Sequence, residues 1–124
     1  MNTILWLCQG FLALAFGYSG FCKSVLSQDK LVAIGQTGAG EVSITTSRFI
    51  GIVELLGTAG VILPWGLHVL PWLTPLAATG FAIIMLLAAP IHYRLHEPKN
   101  VFTNIVLLLV SIIVIWGRTA ELLH

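Results

Sequence analysis

Long stretches without charged side chains are the feature that most constrains how this sequence can fold. Residues 1–22 and 101–117 contain no Asp, Glu, Lys or Arg, and residues 49–93 contain only Glu54. A helix that crosses a bilayer needs about 20 mainly apolar residues. Each terminal stretch is therefore long enough for one span, and the middle stretch is long enough for two spans and a turn. The sequence predicts four membrane-spanning helices.

The composition supports an integral membrane protein and argues against several other classes. Of the 124 residues, 57% are hydrophobic and only 9% are charged, whereas soluble domains average about 25% charged residues. The net charge of +1 is too small for a protein that binds nucleic acid through a basic surface. Cys8 and Cys22 would lie roughly 21 Å apart along one helix, so we expect no internal disulfide. No metal-ligand pattern is present, and we predict no metal site.

Turn-forming and capping residues divide the stretches into helices. Pro64, Pro71 and Pro75 separate the second helix from the third, and Ser47 and Asn100 are candidate N-caps for the second and fourth. The predicted helices are at about 3–22, 48–64, 75–93 and 101–118.

The predicted fold is all-α: a single domain over residues 1–124 that forms an antiparallel, up-down, four-helix transmembrane bundle. One long polar loop, residues 24–46, connects the first and second helices, and it holds either a short interfacial helix or a small hairpin. An even number of spans places both termini on the same side. Loops 23–47 and 93–100, with the flanking Arg48, carry five Lys and Arg residues, whereas the other side has Arg118 alone. The positive-inside rule then predicts cytoplasmic loops and external termini.

Several polar residues are predicted at one depth, near the cytoplasmic helix ends. Glu54 is the most informative, because a charged residue inside a span costs about 2.5 kcal/mol or more and is usually paired. We expect it to pair with His92 or Arg94 of the third helix, because Arg48 lies on a different face of its own helix. This cluster is either a structural clasp or a site that handles protons or binds a polar head group. The candidate site residues are Glu54, His92, Arg94, Asn104, Arg48 and Tyr18.

Small residues predict close approach between helices, because they let backbones come together within a bilayer. On the first helix they form one narrow stripe, and the second helix contains Gly51, Gly57 and Gly60. The candidate packing residues are Gly10, Ala13, Gly17, Gly20, Gly57 and Gly60.

Several of these segments resemble the DoxX-like membrane proteins of the DoxX/DoxD superfamily. The run from Arg48 to Pro64 is similar to the signature of that family's second helix. Residues 71–78 resemble the start of its third helix, and residues 88–94, including His92, resemble the end. Asn104 in the last helix also matches.

The resemblance implies a four-helix bundle found mainly in bacterial membranes. The family name derives from a subunit of a membrane thiosulfate:quinone oxidoreductase, and other relatives are linked to redox-stress complexes or to the assembly of partner membrane proteins. By motif match, Glu54, His92 and Asn104 are the family's polar positions in this chain.

Two hypotheses for function follow. In the first, the chain is an accessory subunit of a quinone-linked redox complex in the bacterial inner membrane. Glu54 would exchange protons, His92 or Arg94 would hold the carboxylate or a quinone carbonyl, and Asn104 would donate a hydrogen bond. A partner redox subunit would carry the electrons, so the isolated chain would not be a complete enzyme. In the second, the chain is a non-enzymatic scaffold or assembly factor that binds membrane proteins, or further copies of itself, through its small-residue faces.

Overall fold

The computed structural model describes residues 1–124 and contains helices but no strands. Four of the helices, α1, α3, α4 and α5, are long and apolar enough to cross a membrane, which confirms the predicted all-helical fold with four spans. The elements in chain order are α1 (Asn2–Val25), α2 (Gln28–Ala33), a 3-10 helix (Thr37–Glu41), α3 (Ile44–Leu67), α4 (Leu73–Arg94) and α5 (Pro98–Leu122).

The spans extend beyond their predicted ends, and a different residue caps the start of α3. Ser43, rather than Ser47, caps α3, and its hydroxyl accepts a hydrogen bond from the Thr46 backbone N–H at 3.1 Å. Pro64 lies inside α3, which continues to Leu67. Proline removes one helix hydrogen bond there, but the lost donor does not end the helix.

The prediction of one long polar loop between the first two spans is not confirmed, because most of that connection folds into α2 and the 3-10 helix. Only Leu26 and Ser27 lie between α1 and α2, and the Ser27 hydroxyl caps α2 by accepting from the Lys30 N–H at 3.3 Å. Together with the 3-10 helix, α2 forms a folded segment over residues 26–43, which we call the cap segment. Of the two structures left open by the sequence, the short helix is therefore the one that forms.

Tertiary contacts stabilise the cap segment. The Gln28 side-chain amide donates to the backbone carbonyls of Ala39 at 2.9 Å and Val42 at 3.0 Å, which ties α2 to the far end of the segment. Leu31 is fully buried and packs with Cys22 of α1 and with Ala39. The cap segment is thus anchored to the end of the helical bundle that carries the last turn of α1.

Aromatic and aliphatic side chains fill the centre of the bundle. The rings of Phe16 and Phe81 stack with centroids 3.9 Å apart, and aliphatic residues of α1, α3, α4 and α5 surround them. Many other large apolar side chains, such as Leu14, Leu87 and Phe102, are exposed on the outside of the bundle. An apolar outer surface of this kind requires a lipid environment.

The stripe of small residues on α1 does not form a single interface. A Cβ on Gly20 would lie 2.8 Å from the carbonyl oxygen of Gly51, so the two backbones meet there, and Gly17 faces α3 one turn away. Ala13 packs against the central core. Gly10, in contrast, has open space where a Cβ would be.

Two glycines of α3, Gly57 and Gly60, face α4. A Cβ on Gly57 would lie within 2.9 Å of the Phe81 ring, and a Cβ on Gly60 would lie 3.1 Å from that of Ala77. These two glycines therefore let the aromatic core and the first turns of α4 approach α3 closely.

Candidate functional site

Glu54 is buried between α3 and the last turns of α1, with only 1% of its surface exposed. Its Oε1 lies 3.1 Å from Nζ of Lys23 and accepts a hydrogen bond from the Ser19 hydroxyl at 3.0 Å. The close approach of the two helices at Gly20 brings both α1 side chains to the carboxylate. The partner of Glu54 is thus Lys23, and not the predicted His92 or Arg94.

A cavity of about 330 Å³ lies beside this ion pair. All four spans and the cap segment contribute to its wall. Its apolar wall includes Phe16, Met85 and Leu107. Its polar wall is formed by Tyr18, Ser19, Lys23, Gln36, Glu54, His92, Asn100, Thr103 and Asn104.

Asn104 carries a buried hydrogen-bond donor without a partner. The residue is 7% exposed, and its Nδ2 makes no hydrogen bond within the protein. A buried donor left unpaired costs about 1–3 kcal/mol, and nearly all such groups in folded proteins are paired. Because Asn104 lines the cavity, an acceptor atom of a bound molecule would remove this cost.

His92 is held by two residues that the sequence did not single out. Its Nδ1 lies 2.8 Å from Oε1 of Glu97, which also accepts a hydrogen bond from the Thr37 hydroxyl at 2.7 Å. The three residues join α4, the turn before α5 and the cap segment. Because Nδ1 is engaged, Nε2 is the ring nitrogen that remains available to a molecule in the cavity.

The hydrogen bonds from His92 and then from Thr37 lower the pKa of the Glu97 carboxyl below its usual value. A lowered folded-state pKa means that Glu97 stabilises the fold at neutral pH. This contribution is lost as the pH falls below the usual carboxyl range and through the lowered value. We expect the hydrogen-exchange protection of the 3-10 helix amides to fall over that acidic interval. In Glu97→Gln, protection should be lower at neutral pH and should not change over the same interval.

This pH prediction has an internal control. Glu41 ends the same 3-10 helix but takes no part in the hydrogen bonds around His92. Glu41→Gln should therefore retain the acid-dependent loss of protection seen in the wild type. A wild-type profile without any acidic transition would show that Glu97 does not hold the cap segment in place.

The other predicted site residues lie in different places. Arg48 caps the end of α1, since its Nη1 donates to the carbonyls of Lys23 at 2.8 Å and Leu26 at 2.5 Å. Arg94 is exposed and does not line the cavity. Tyr18 is 62% exposed and lies at the rim. The cavity thus brings Tyr18 together with the glutamate, histidine and asparagine, but it does not include the two arginines.

A second polar cluster lies at the opposite end of the bundle, around Arg118, which is 0% exposed. Its Nε donates to Oε1 of Gln9 at 2.7 Å, and its Nη1 donates to Oδ1 of Asn2 at 2.8 Å and to Oε2 of Glu121 at 2.9 Å. The Gln9 amide in turn donates to the Val61 carbonyl at 2.8 Å. The network therefore joins α1, α3 and α5.

Two tryptophans enclose the same guanidinium. Its carbon lies 4.5 Å from the ring centroid of Trp65 and 5.4 Å from that of Trp6, within the range of a cation–π interaction. Sequence reasoning counted Arg118 as a charge of the outer side. Its position directly after the uncharged stretch of the last span could have predicted burial, because a charged residue within a membrane needs a partner inside the protein.

These observations define a small multi-pass α-helical membrane protein with a polar cavity at one end and a buried arginine cluster at the other. The model of the DoxX-like family matches residues 7–114, and the chain belongs to this family. The resemblance noted in the sequence is thereby confirmed.

No curated protein and no solved structure matches the chain significantly. No three His, Cys, Asp or Glu side chains come together in an arrangement that would hold a metal ion.

Proposed function

We propose that this protein binds the head group of a quinone in the cavity beside Glu54, as an accessory subunit of a membrane redox complex. The observation that carries the proposal is the unpartnered Asn104 amide in the wall of a cavity that also contains an ion pair. The volume of about 330 Å³ falls within the range of about 300–1,000 Å³ that is typical of small-molecule sites.

The wall of the cavity has the chemistry that a quinone ring requires. A quinone has a flat apolar ring with carbonyl oxygens that accept hydrogen bonds. Phe16, Met85 and Leu107 supply an apolar surface, and the Asn104 amide donates to one carbonyl. Lys23 is the donor available to the other carbonyl, because the His92 Nδ1–H donates to Glu97 and leaves Nε2 as an acceptor in the neutral ring.

Reduction of a quinone to a quinol consumes protons as well as electrons. In this proposal the electrons come from a partner subunit, and the Glu54–Lys23 pair supplies or accepts protons at the head group. Ser19 holds the carboxylate in place through its hydrogen bond. The Thr37–Glu97–His92 contacts fix the orientation of the imidazole in the cavity wall.

We also propose that the spans alternate in direction and that the cavity opens toward the cytoplasm of a bacterial cell. The contacts support alternation, since Gln9 bonds to Val61 whereas Gly20 meets Gly51, so α1 and α3 run in opposite senses. Arg118 is buried within its polar network. The remaining Lys and Arg residues all belong to the cavity end, which strengthens the positive-inside argument for a cytoplasmic location.

The proposal is tested by the quinone that co-purifies with the protein in mild detergent, measured by liquid chromatography and mass spectrometry. We expect near-stoichiometric quinone in the wild type. Asn104→Leu should weaken binding about 10-fold, the effect of one buried hydrogen bond of roughly 1.4 kcal/mol. Glu54→Gln should retain quinone but lose the activity of the assembled complex, because it keeps the shape of the side chain and loses its charge.

A matched control is Ser111→Ala, which removes another buried polar group of α5. The Ser111 hydroxyl bonds only to the Leu107 carbonyl of its own helix, so quinone content should not change. Background quinone in the wild type and in all variants would overturn the proposal. That result would favour the scaffold hypothesis, in which enlarging Gly10 on its open face would disrupt the capture of partner membrane proteins.

A further inference from the structure

We infer that the quinone carries a long apolar tail and that this tail lies in a groove between α4 and α5 that faces the lipid. This inference rests on the proposed function and extends it to the route by which the ligand arrives. The groove has a volume of about 480 Å³ and is separate from the cavity described above. Its apolar lining includes Met85, Leu86, Ala89, Val101, Ile105 and Leu108.

The groove and the cavity share part of their walls. Met85 and Asn104 line both of them. The unpartnered Nδ2 of Asn104 is therefore next to both the space for a head group and the space for a tail. The Met85 side chain is unbranched and flexible, so it can move aside without a change of backbone.

The ends of the groove differ in chemistry, which gives the tail a direction. Tyr93 and Arg94 line one end, and such residues favour the membrane–water interface. Leu108 lies at the other end, which reaches toward the hydrocarbon region. A ligand bound at Asn104 would therefore extend its tail past Ile105 toward Leu108, and it would enter from the bilayer rather than from water.

Local features of α4 explain why the groove forms beside it. Ala89 has a small side chain that leaves space on the surface facing α5. Pro90 follows it inside the helix, and proline leaves the carbonyl four residues earlier without its helix donor. The groove lined by these residues has a volume of about 480 Å³, which leaves room for part of a hydrocarbon chain.

The test uses a quinone with a photoreactive diazirine on its tail, incubated with the full-length protein in lipid nanodiscs. Labelled peptides are located by mass spectrometry. We expect the label within residues 85–94 and 101–108, and we expect excess unlabelled quinone to abolish it. Ala89→Phe fills the groove and should reduce this labelling about tenfold, whereas a quinone without a tail should still bind the cavity.

The matched control is Gly80→Phe, which introduces the same side chain elsewhere on α4. A Cβ at Gly80 meets no atom within 4 Å, and the residue does not line the α4–α5 groove. Its labelling should equal that of the wild type. Label outside the groove, or label that unlabelled quinone does not compete away, would overturn the inference while the cavity site stands. Failure of both the tailed and the tail-less quinone to bind would instead overturn the proposed function.

Discussion

Replacing Gly20 with valine is expected to disrupt the packing of α1 against α3 and to prevent most of the protein from folding. A Cβ at this position would lie 2.8 Å from the Gly51 carbonyl oxygen and 3.0 Å from the Leu55 nitrogen. Both are backbone atoms, which cannot rotate away as a side chain can. Overpacking of this kind costs about 1–3 kcal/mol even where the neighbours are side chains. We therefore expect Gly20→Val to lower the free energy of unfolding by about 3 kcal/mol or more.

The effect of this substitution extends to the site. Ser19 and Lys23, which contact the Glu54 carboxylate, flank Gly20 on the same helix. Separation of α1 from α3 would move both away from the carboxylate and leave a buried charge without a partner, which is strongly destabilising. Any protein that does fold should therefore lack bound quinone.

The matched control is Gly10→Val on the same helix, because a Cβ at Gly10 would have no neighbouring atom within 4 Å. We expect its free energy of unfolding to change by no more than about 0.5 kcal/mol. Thermal unfolding in detergent, followed by circular dichroism, would compare the two variants. Equal stability of the two would contradict the packing of α1 on α3 described above.

Replacing Arg118 with alanine is expected to cause the second large loss of stability. The substitution leaves the buried Gln9 oxygen without its donor, and an unpaired buried group costs about 1–3 kcal/mol. It also removes the guanidinium from between Trp6 and Trp65, with loss of a cation–π contribution of about 0.5–2 kcal/mol. The cavity left by the missing side chain lowers the free energy of unfolding further. The unfolding temperature should fall well below that of the wild type.

Two further variants separate the polar network from general effects of charge and packing. Arg94→Ala removes an exposed arginine and should leave the unfolding temperature nearly unchanged. The double substitution Gln9→Leu with Arg118→Met replaces both members of the Gln9–Arg118 hydrogen bond with apolar groups, and such a replacement can be nearly neutral or stabilising. It should recover most of the lost stability. A double variant less stable than Arg118→Ala would contradict this account of the cluster.

Much of the site was predictable from polarity and depth alone. Tyr18, Glu54, His92 and Asn104 were expected at one level because each is a polar residue near the same end of a predicted span, and all four line one cavity. The partner of Glu54 was not predictable. Lys23 lies after the predicted end of the first helix, and its proximity depends on how far α1 continues and how it is rotated against α3.

The fold of the cap segment and the cluster around Arg118 also could not be predicted from the sequence. The cap segment depends on the Gln28 amide reaching the Ala39 and Val42 carbonyls, contacts that no local propensity specifies. In the sequence, Arg118 has the position of an ordinary charge at a helix end. Its burial depends on a hydrogen bond to Gln9, which lies near the other end of the chain.

The number of spans and their approximate limits followed from the order of residues, because hydropathy and span length are local properties set against the thickness of a bilayer. The positions of the functional groups depended instead on helix rotation and register. Those are set by contacts between distant residues, such as the backbone approach at Gly20 and Gly51 and the stacking of Phe16 on Phe81. Such contacts belong to pairs of helices, and neither helix alone specifies them.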